Sequence, residues 1–305
     1  MTRAFLSSGD LIADRRAHYA EMMFEAGDHA GAADLMRQAL EITPDWVAGL
    51  FRLGEMEEKA GHLEAAAKAW RGVLAADAND RFGASLKLAS LGLTAQPDTP
   101  PVAYVETLFD AYAPTFETAL LDKLDYRVPE LLAEAIARVG VNRRYRRVID
   151  LGCGTGLMGE RLRASADFLE GIDLSDAMLR KAEEKGFYDR LAKGDVNELK
   201  KPDNPVDLVV AADVFVYVGA LDRAFANIAT IMEPGGLFAF SVETHEDASQ
   251  EELVLQPSLR FTHSVVYVRR LLDQHGFEPL EMNKATIRHD RGEPLTGIIT
   301  VARRI

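Results

Sequence analysis

The sequence predicts two domains, a small all-α unit followed by an α/β unit built on a mostly parallel sheet with helices on both faces. Three observations carry this expectation. From Asp14 to about Gly92 the chain is rich in Ala, Leu and Met at helical spacing and matches itself when shifted by 34 residues. A stiff, helix-breaking run, Gln96-Pro97-Asp98-Thr99-Pro100-Pro101, then ends the pattern. Beyond it, strand-like apolar runs alternate with amphipathic helical ones.

In the first domain, Ala20 falls on Gly54, Gly27 on Gly61, Ala32 on Ala66 and Leu40 on Leu74 under the shift. Small residues at the first and third of these positions let paired helices approach, and the glycines end the first helix of each pair. Pro44 closes the first unit, Asp77-Ala78-Asn79 closes the second, and Phe82 to Leu91 reads as a capping helix. The pattern resembles tetratricopeptide repeats, whose short arrays need a neighbour to bury their faces. Residues 1–96 therefore form the expected helical domain, 97–101 the linker and 102–305 the second domain.

The second domain opens with helices at Val102 to Asp110 and Arg127 to Val139. A strand at Arg146 to Leu151, a helix at Leu157 to Ala164, a strand at Phe168 to Asp173 and a helix at Asp176 to Lys185 follow. The alternation continues through a short strand near Leu191, a strand at Val206 to Ala211, a helix at Leu221 to Ile231 and a strand at Leu237 to Val242. A last helix, Val265 to His275, leads into a terminal hairpin formed by Phe277 to Ile287 and Leu295 to Val301, with Arg291-Gly292-Glu293-Pro294 in its turn.

Lys and Arg number 35 against 48 Asp and Glu, a net charge of -13, which argues against a nucleic-acid or anionic-membrane partner. The basic cluster of Arg138, Arg143, Arg144, Arg146 and Arg147 reads as a solvated connection rather than an acidic-partner site. The single cysteine, Cys153, excludes a disulfide framework and a multi-cysteine metal site and fits a reducing cytoplasm. Neither the first ten residues nor any later segment has the apolar length of a signal peptide or membrane span. A cytoplasmic protein without metal is expected.

The chemistry concentrates at Val148 to Gly159, where a buried-type strand ends in Asp150 and a glycine-rich turn opens a helix. No Lys or Arg stands in this loop, so it lacks the cations that neutralise a polyphosphate. Gly154, Gly156 and Gly159 also satisfy the dinucleotide fingerprint, with Asp173 at a suitable distance. Asp150 tilts the choice, because a strand-end carboxylate suits a cationic ligand better than a pyrophosphate. Asp173 ends the next strand, where it can take both hydroxyls of a ribose. Asp195 ends the third, where it can accept from an adenine amino group while Val196 offers its backbone amide.

These residues resemble the successive motifs of class I S-adenosylmethionine-dependent methyltransferases: Asp-Leu-Gly-Cys-Gly-Thr-Gly at 150–156, Gly-Ile-Asp-Leu-Ser at 171–175, Gly-Asp-Val at 194–196, Asp207-Leu-Val, and Glu-Pro-Gly-Gly at 233–236. The resemblance covers the whole second domain and implies a seven-stranded Rossmann-like sheet whose last strand is antiparallel. It implies S-adenosyl-L-methionine as cofactor, with Gly152, Gly154 and Gly156 against its methionine part, Asp173 at the ribose and Asp195 at the adenine. Asp150 would meet the amino group, Cys153 and Leu174 would complete the lining, and Asp213 with Val214 would line the sulfonium side.

On the acceptor side, Tyr104 to Leu121 resembles the helical lid of small-molecule methyltransferases, with Tyr112 and Phe116 closing over the cofactor. Leu259 to Tyr267 and Ile287 to Gly297 resemble the repeat-bearing methyltransferases similar to the Williams-Beuren region methyltransferase-like group. That likeness places Arg260, His263, Tyr267 and Arg288 near the pocket mouth, where two guanidinium groups suit a substrate carboxylate. Tyr217 joins them as a substrate-side residue, and Glu243 and His245 are weaker candidates. Methyl transfer needs in-line attack by O, N, S or C, with His263 orienting the acceptor or taking its proton and Tyr112 assisting.

The expected substrate is a small molecule, since Ala212-Asp-Val-Phe-Val-Tyr217 replaces the Asn-Pro-Pro-Tyr or Asp-Pro-Pro-Tyr run associated with amino methylation of bases. Two alternatives stay open. One is a protein methyltransferase whose repeats dock the target or a second copy of the chain. The other is a non-catalytic adaptor that retains the fold.

Overall fold

The computed structural model describes residues 7–118, 120, 124–202, 204–245, 252–290 and 292–305. Its compact units divide between Ala111 and Tyr112. The first contains antiparallel helix pairs, α1 (Leu11–Glu25) with α2 (His29–Leu40) and α3 (Val47–Lys59) with α4 (Leu63–Ala76), then α5 (Ala84–Ser90) and α6 (Val102–Tyr112). Gly27 and Gly61 follow the first helix of each pair with φ of 87° and 82°, a conformation glycine adopts without a Cβ penalty. Ala13, Ala17 and Ala20 of α1 share one core with Ala32, Ala33 and Met36 of α2, so the alanine-rich sequence permits close packing of the pair. Gly54 serves the second pair in the same way, because a Cβ there would lie 2.2 Å from Trp70 Nε1.

The division falls later than the proline-rich run at 97–101 suggested. The Tyr104 ring lies over Gly83, where a Cβ would come within 2.8 Å of it, and this contact ties α6 to the first unit. The linker is therefore an internal connection of the helical unit rather than its edge.

The second unit holds α7 (Val128–Val139), β1 (Tyr145–Leu151), α8 (Leu157–Leu162), β2 (Ala166–Asp173), α9 (Asp176–Lys185), β3 (Arg190–Lys193), β4 (Val206–Ala211), α10 (Asp222–Ile231) and β5 (Met232–Glu243). A short ribbon follows, β6 (Leu253–Leu255) with β7 (Phe261–His263), then α11 (Val265–Gln274), β8 (Phe277–Asp290) and β9 (Glu293–Arg304). The main sheet has seven strands in the order β3-β2-β1-β4-β5-β9-β8, with β9 antiparallel to both neighbours. This is the Rossmann-like arrangement expected.

β4 is buried along its whole length, as a central strand covered on both faces must be. One face packs Phe215, Phe225, Phe238 and Phe240 beneath α10 and α11, and the other packs Val148, Leu208 and Val210 beneath α7 and α8. The ribbon β6–β7 was not legible beforehand, because three-residue strands show too little alternation and follow a polar stretch whose residues 246–251 lie outside the described ones. Arg291 of the hairpin turn and Leu121 of the expected lid lie outside them as well.

Of the five arginines in the basic cluster, Arg143 donates to the Gly235 carbonyl at 3.0 Å and the other four form separate ion pairs. Arg138 meets Glu281 at 2.5 Å, Arg146 meets Glu233 at 2.6 Å, Arg147 meets Glu170 at 2.6 Å, and Arg144 pairs with Asp167. Among the described residues no helix is long and apolar enough to cross a membrane.

Candidate cofactor and acceptor site

The C-terminal ends of the parallel strands deliver the acids to one edge of the sheet. β1 pairs with β2 and β4 so that Asp150 lies beside Gly171 and Val210, which brings Asp150, Asp173 and the residues after Ala211 together. Gly152, Gly154 and Gly156 hold φ of 60°, 53° and 90°, the left-handed region that other residues enter only with strain. The turn is pinned by Asp173. Its Oδ2 accepts from the Gly154 amide at 2.9 Å and its Oδ1 from the Ser175 amide at 2.8 Å, so one carboxylate joins the loop to the start of α9.

Asp150 is fully buried, and its Oδ2 accepts a 2.6 Å hydrogen bond from the Tyr188 hydroxyl. Burial pushes its carboxyl up to about 7, against the pull of the Tyr188 bond and with a smaller push from Asp173. Its Oδ1 is buried without a hydrogen-bond partner. An orphaned carboxylate oxygen beside a glycine cradle fits a ligand ammonium group, and no cationic side chain of the loop competes for it. Cys153 is buried in the same turn, and burial raises its thiol well above the ordinary range, so a thiolate role is disfavoured.

Tyr188 had escaped notice as a site residue. Its ring fills the space left by Gly159 and Gly171, where a Cβ would come within 2.4 and 2.9 Å of it. The glycines at those positions were the available signal. Farther along the edge, Asp195 accepts from the Asn197 amide at 2.8 Å, with Val196 buried beside it, and Leu174 is half-buried between β2 and α9. Val214 packs on the loop itself, since a Cβ on Gly152 would lie 2.5 Å from its Cγ2. From the other side, the Phe116 ring lies 3.7 Å from a Cβ built on Gly154, Tyr112 stands edge-on to Phe116 at 5.2 Å, and Thr155 Oγ1 donates to Glu117 at 2.5 Å.

Two expected acceptor-side residues stand elsewhere. His263 is fully buried, its Nε2–H donates to the Gly219 carbonyl at 2.7 Å, and burial pulls its pKa down to about 4. It is a neutral core histidine stacked on Tyr267 rather than a group at a pocket mouth. Tyr267 is buried too, and its hydroxyl accepts from the Leu221 amide at 2.8 Å and donates to Asp222 at 3.0 Å, which fixes the start of α10. Both residues lie near the start of α11, but Ser264 caps that helix, and both side chains turn into the core to reach groups distant in sequence. His263→Ala is expected to cost about 2–3 kcal/mol through the lost buried hydrogen bond and the cavity, read as a lower denaturant midpoint with cofactor affinity retained.

Arg260 and Arg288 do come together, but on the chain's own carboxylates. Arg288 donates to Asp213 Oδ2 at 2.5 Å and also pairs with Glu243, which Arg260 approaches at 3.0 Å. The guanidinium pair is thus not a vacant clamp for a substrate carboxylate. Asp213 has φ of 59°, its amide donates to Ser241 Oγ at 2.9 Å, and burial pushes its carboxyl up to about 6 against the nearby Arg260 charge. Tyr217 and Tyr126 lie within electrostatic reach of Asp213, and burial raises both phenols. Tyr126 was not anticipated, since a lone Tyr ahead of α7 carries no pattern.

A model of the methyltransferase domain family matches residues 149–240, the stretch that contains the glycine turn, Asp173, Asp195 and Asp213. The chain carries an S-adenosylmethionine-dependent methyltransferase domain. It is 35% identical over 106 residues to the malonyl-[acyl-carrier protein] O-methyltransferase of Pectobacterium atrosepticum, a match that spans 35% of this chain and 41% of that relative. It is 28% identical over 186 residues to human methyltransferase-like protein 27, covering 58% of this chain and 73% of the relative. In structure, the [4+2]-cyclase SpnF superposes with a TM-score of 0.54 at 20% identity, over 68% of this chain and 97% of its own, which speaks for the fold alone.

Proposed function

We propose that the chain transfers a methyl group from S-adenosylmethionine to a small molecule. The observation that carries this reading is the set of strand-end carboxylates, Asp150, Asp173 and Asp195, around a left-handed glycine turn without Lys or Arg. Bound there, the cofactor supplies a methyl group on a positively charged sulfur. The orphan oxygen of Asp150 suits its ammonium, the carboxylate of Asp173 its ribose hydroxyls, and Asp195 with Val196 its adenine. Gly152, Cys153, Gly154, Gly156 and Leu174 line the path, Val214 abuts Gly152, and Tyr112 with Phe116 excludes water from above.

One named relative is an O-methyltransferase of a malonyl group on an acyl-carrier protein, which supports a small acceptor group. The helical unit lies outside the family match, and its repeated hairpins suit a tetratricopeptide-like role in holding a partner or a second copy. Incubation with methyl-labelled donor and a cell extract separates these readings. Label in the dialysable fraction, or on a carrier-borne group that mild thioester cleavage releases, is the expected result, and label that stays on protein after that treatment would favour docking of a protein target by the helical unit.

The cofactor reading also sets a pH dependence. Asp150 must be charged to hold an ammonium, so affinity for S-adenosylhomocysteine is expected to fall roughly tenfold between pH 8 and pH 6 as its carboxyl protonates near 7. The apo protein shows the opposite sign. A carboxyl whose folded pKa lies above its unfolded value of 3.8 gives stability that is present below that value and is lost as pH rises through about 7. Asp150→Asn should therefore flatten the affinity profile and raise apo stability at pH 8, measured by titration and thermal unfolding.

A further inference from the structure

We infer that Asp213 accepts a proton from the methyl acceptor, so that the acceptor atom carries an N–H or O–H, as an amine or hydroxyl does, and is not a carboxylate. The inference rests on the methyltransferase reading and deepens it.

Position comes first. Asp213 follows β4 two residues beyond the Leu151–Ala211 pair, and its neighbour Val214 touches the glycine turn at Gly152, so among these charged residues it stands beside the cofactor loop. Arg260 belongs instead to the turn between β6 and β7. Accessibility comes second. The Arg288 and Glu243 side chains are 3% and 4% exposed, whereas Asp213 retains 15% and Arg260 18%, so Asp213 and Arg260 are the members of the ionic chain that reach the open side, and of these two Asp213 adjoins the glycine turn.

Satisfaction comes third. Asp213 Oδ2 is taken by Arg288, while Oδ1 is buried and has no hydrogen-bond partner. An unpaired carboxylate oxygen is completed by a donor and repels another carboxylate. Arg288, itself shared with Glu243, fixes the carboxylate plane, and the Ser241 bond holds the backbone in its left-handed turn. Burial raises the Asp213 carboxyl above the ordinary range, which makes it a better proton acceptor than an exposed carboxylate.

In the step, a lone pair on the acceptor N or O forms the bond to the methyl carbon as the methyl–sulfur bond breaks and its electron pair stays on sulfur. The acceptor's proton passes to the Asp213 carboxylate and leaves with the product's release to solvent. Atoms and charge balance without a further reactant.

The test uses the full-length chain, methyl-labelled S-adenosylmethionine and a fractionated cell extract. The labelled product is expected to withstand mild alkali, and acid hydrolysis then separates N-methyl from O-methyl products. Release of the label as volatile methanol marks a methyl ester and overturns the inference. Asp213→Asn, which preserves the contact to Arg288, is expected to lower the rate at least about 100-fold, and transfer at the wild-type rate overturns the inference as well. Because the ester assay needs no variant, misfolding of Asp213→Asn leaves it decisive. Failure of the wild-type chain to bind S-adenosylhomocysteine would instead remove the reading on which the inference rests.

Discussion

Substituting Arg288 by Met is expected to destabilise the C-terminal unit by roughly 3–5 kcal/mol, the largest effect of any single change considered. Arg288 is almost fully buried and is the cation shared by Asp213 and Glu243, so its removal leaves two carboxylates facing one another with only Arg260 nearby. The expected readout is a lower urea midpoint for the C-terminal transition. The triple change Arg288→Met, Asp213→Asn, Glu243→Gln should recover a large part of the loss, because it removes the stranded charges. A single variant as stable as the parent would show that the cluster is solvated and not a buried ionic chain.

Asp173→Ala is expected to weaken S-adenosylhomocysteine binding by about 100-fold, or roughly 2.7 kcal/mol. The carboxylate accepts from the Gly154 and Ser175 amides, and in the proposed reading it also meets the ribose diol. Deleting it removes ligand contacts and frees a turn whose three glycines would otherwise sample many conformations. Asp173→Asn keeps the shape and one acceptor oxygen, so its affinity should fall between the two. Titration calorimetry of the three proteins checks the order, and equal affinities would place the ribose elsewhere.

Much of the fold was legible because its elements carry local signals. The helix at Asp176–Lys185 is capped by Ser175 and followed by Gly186 with φ of 68°, and its bounds match those read from the sequence. β4, a continuous apolar run, likewise begins and ends as expected at Val206 and Ala211. The clustering of the acids proposed for the cofactor was visible for a related reason: each stands at the end of a strand, where chain position nearly fixes spatial position.

The acceptor side depends on contacts distant in sequence, and there the reading failed. Nothing near Arg288 announces that Asp213 and Glu243 will meet it, since these partners lie 75 and 45 residues away. His263 and Tyr267 looked reactive because they are polar and closely spaced, yet the packing of β7 and α11 turns both inward to satisfy Gly219, Leu221 and Asp222. Tyr188 became meaningful only when β2 and the glycine turn closed around its ring. The boundary at Ala111 and Tyr112 was hidden in the same way, by contacts such as that of Tyr104 with Gly83.

The central claim is that the acid-tipped edge of the sheet holds a sulfonium donor. Calorimetric titration of the purified chain with S-adenosylhomocysteine and, in parallel, with NADH tests it most directly. The account predicts saturable binding of the first and none of the second. Uptake of NADH with no affinity for S-adenosylhomocysteine would contradict it.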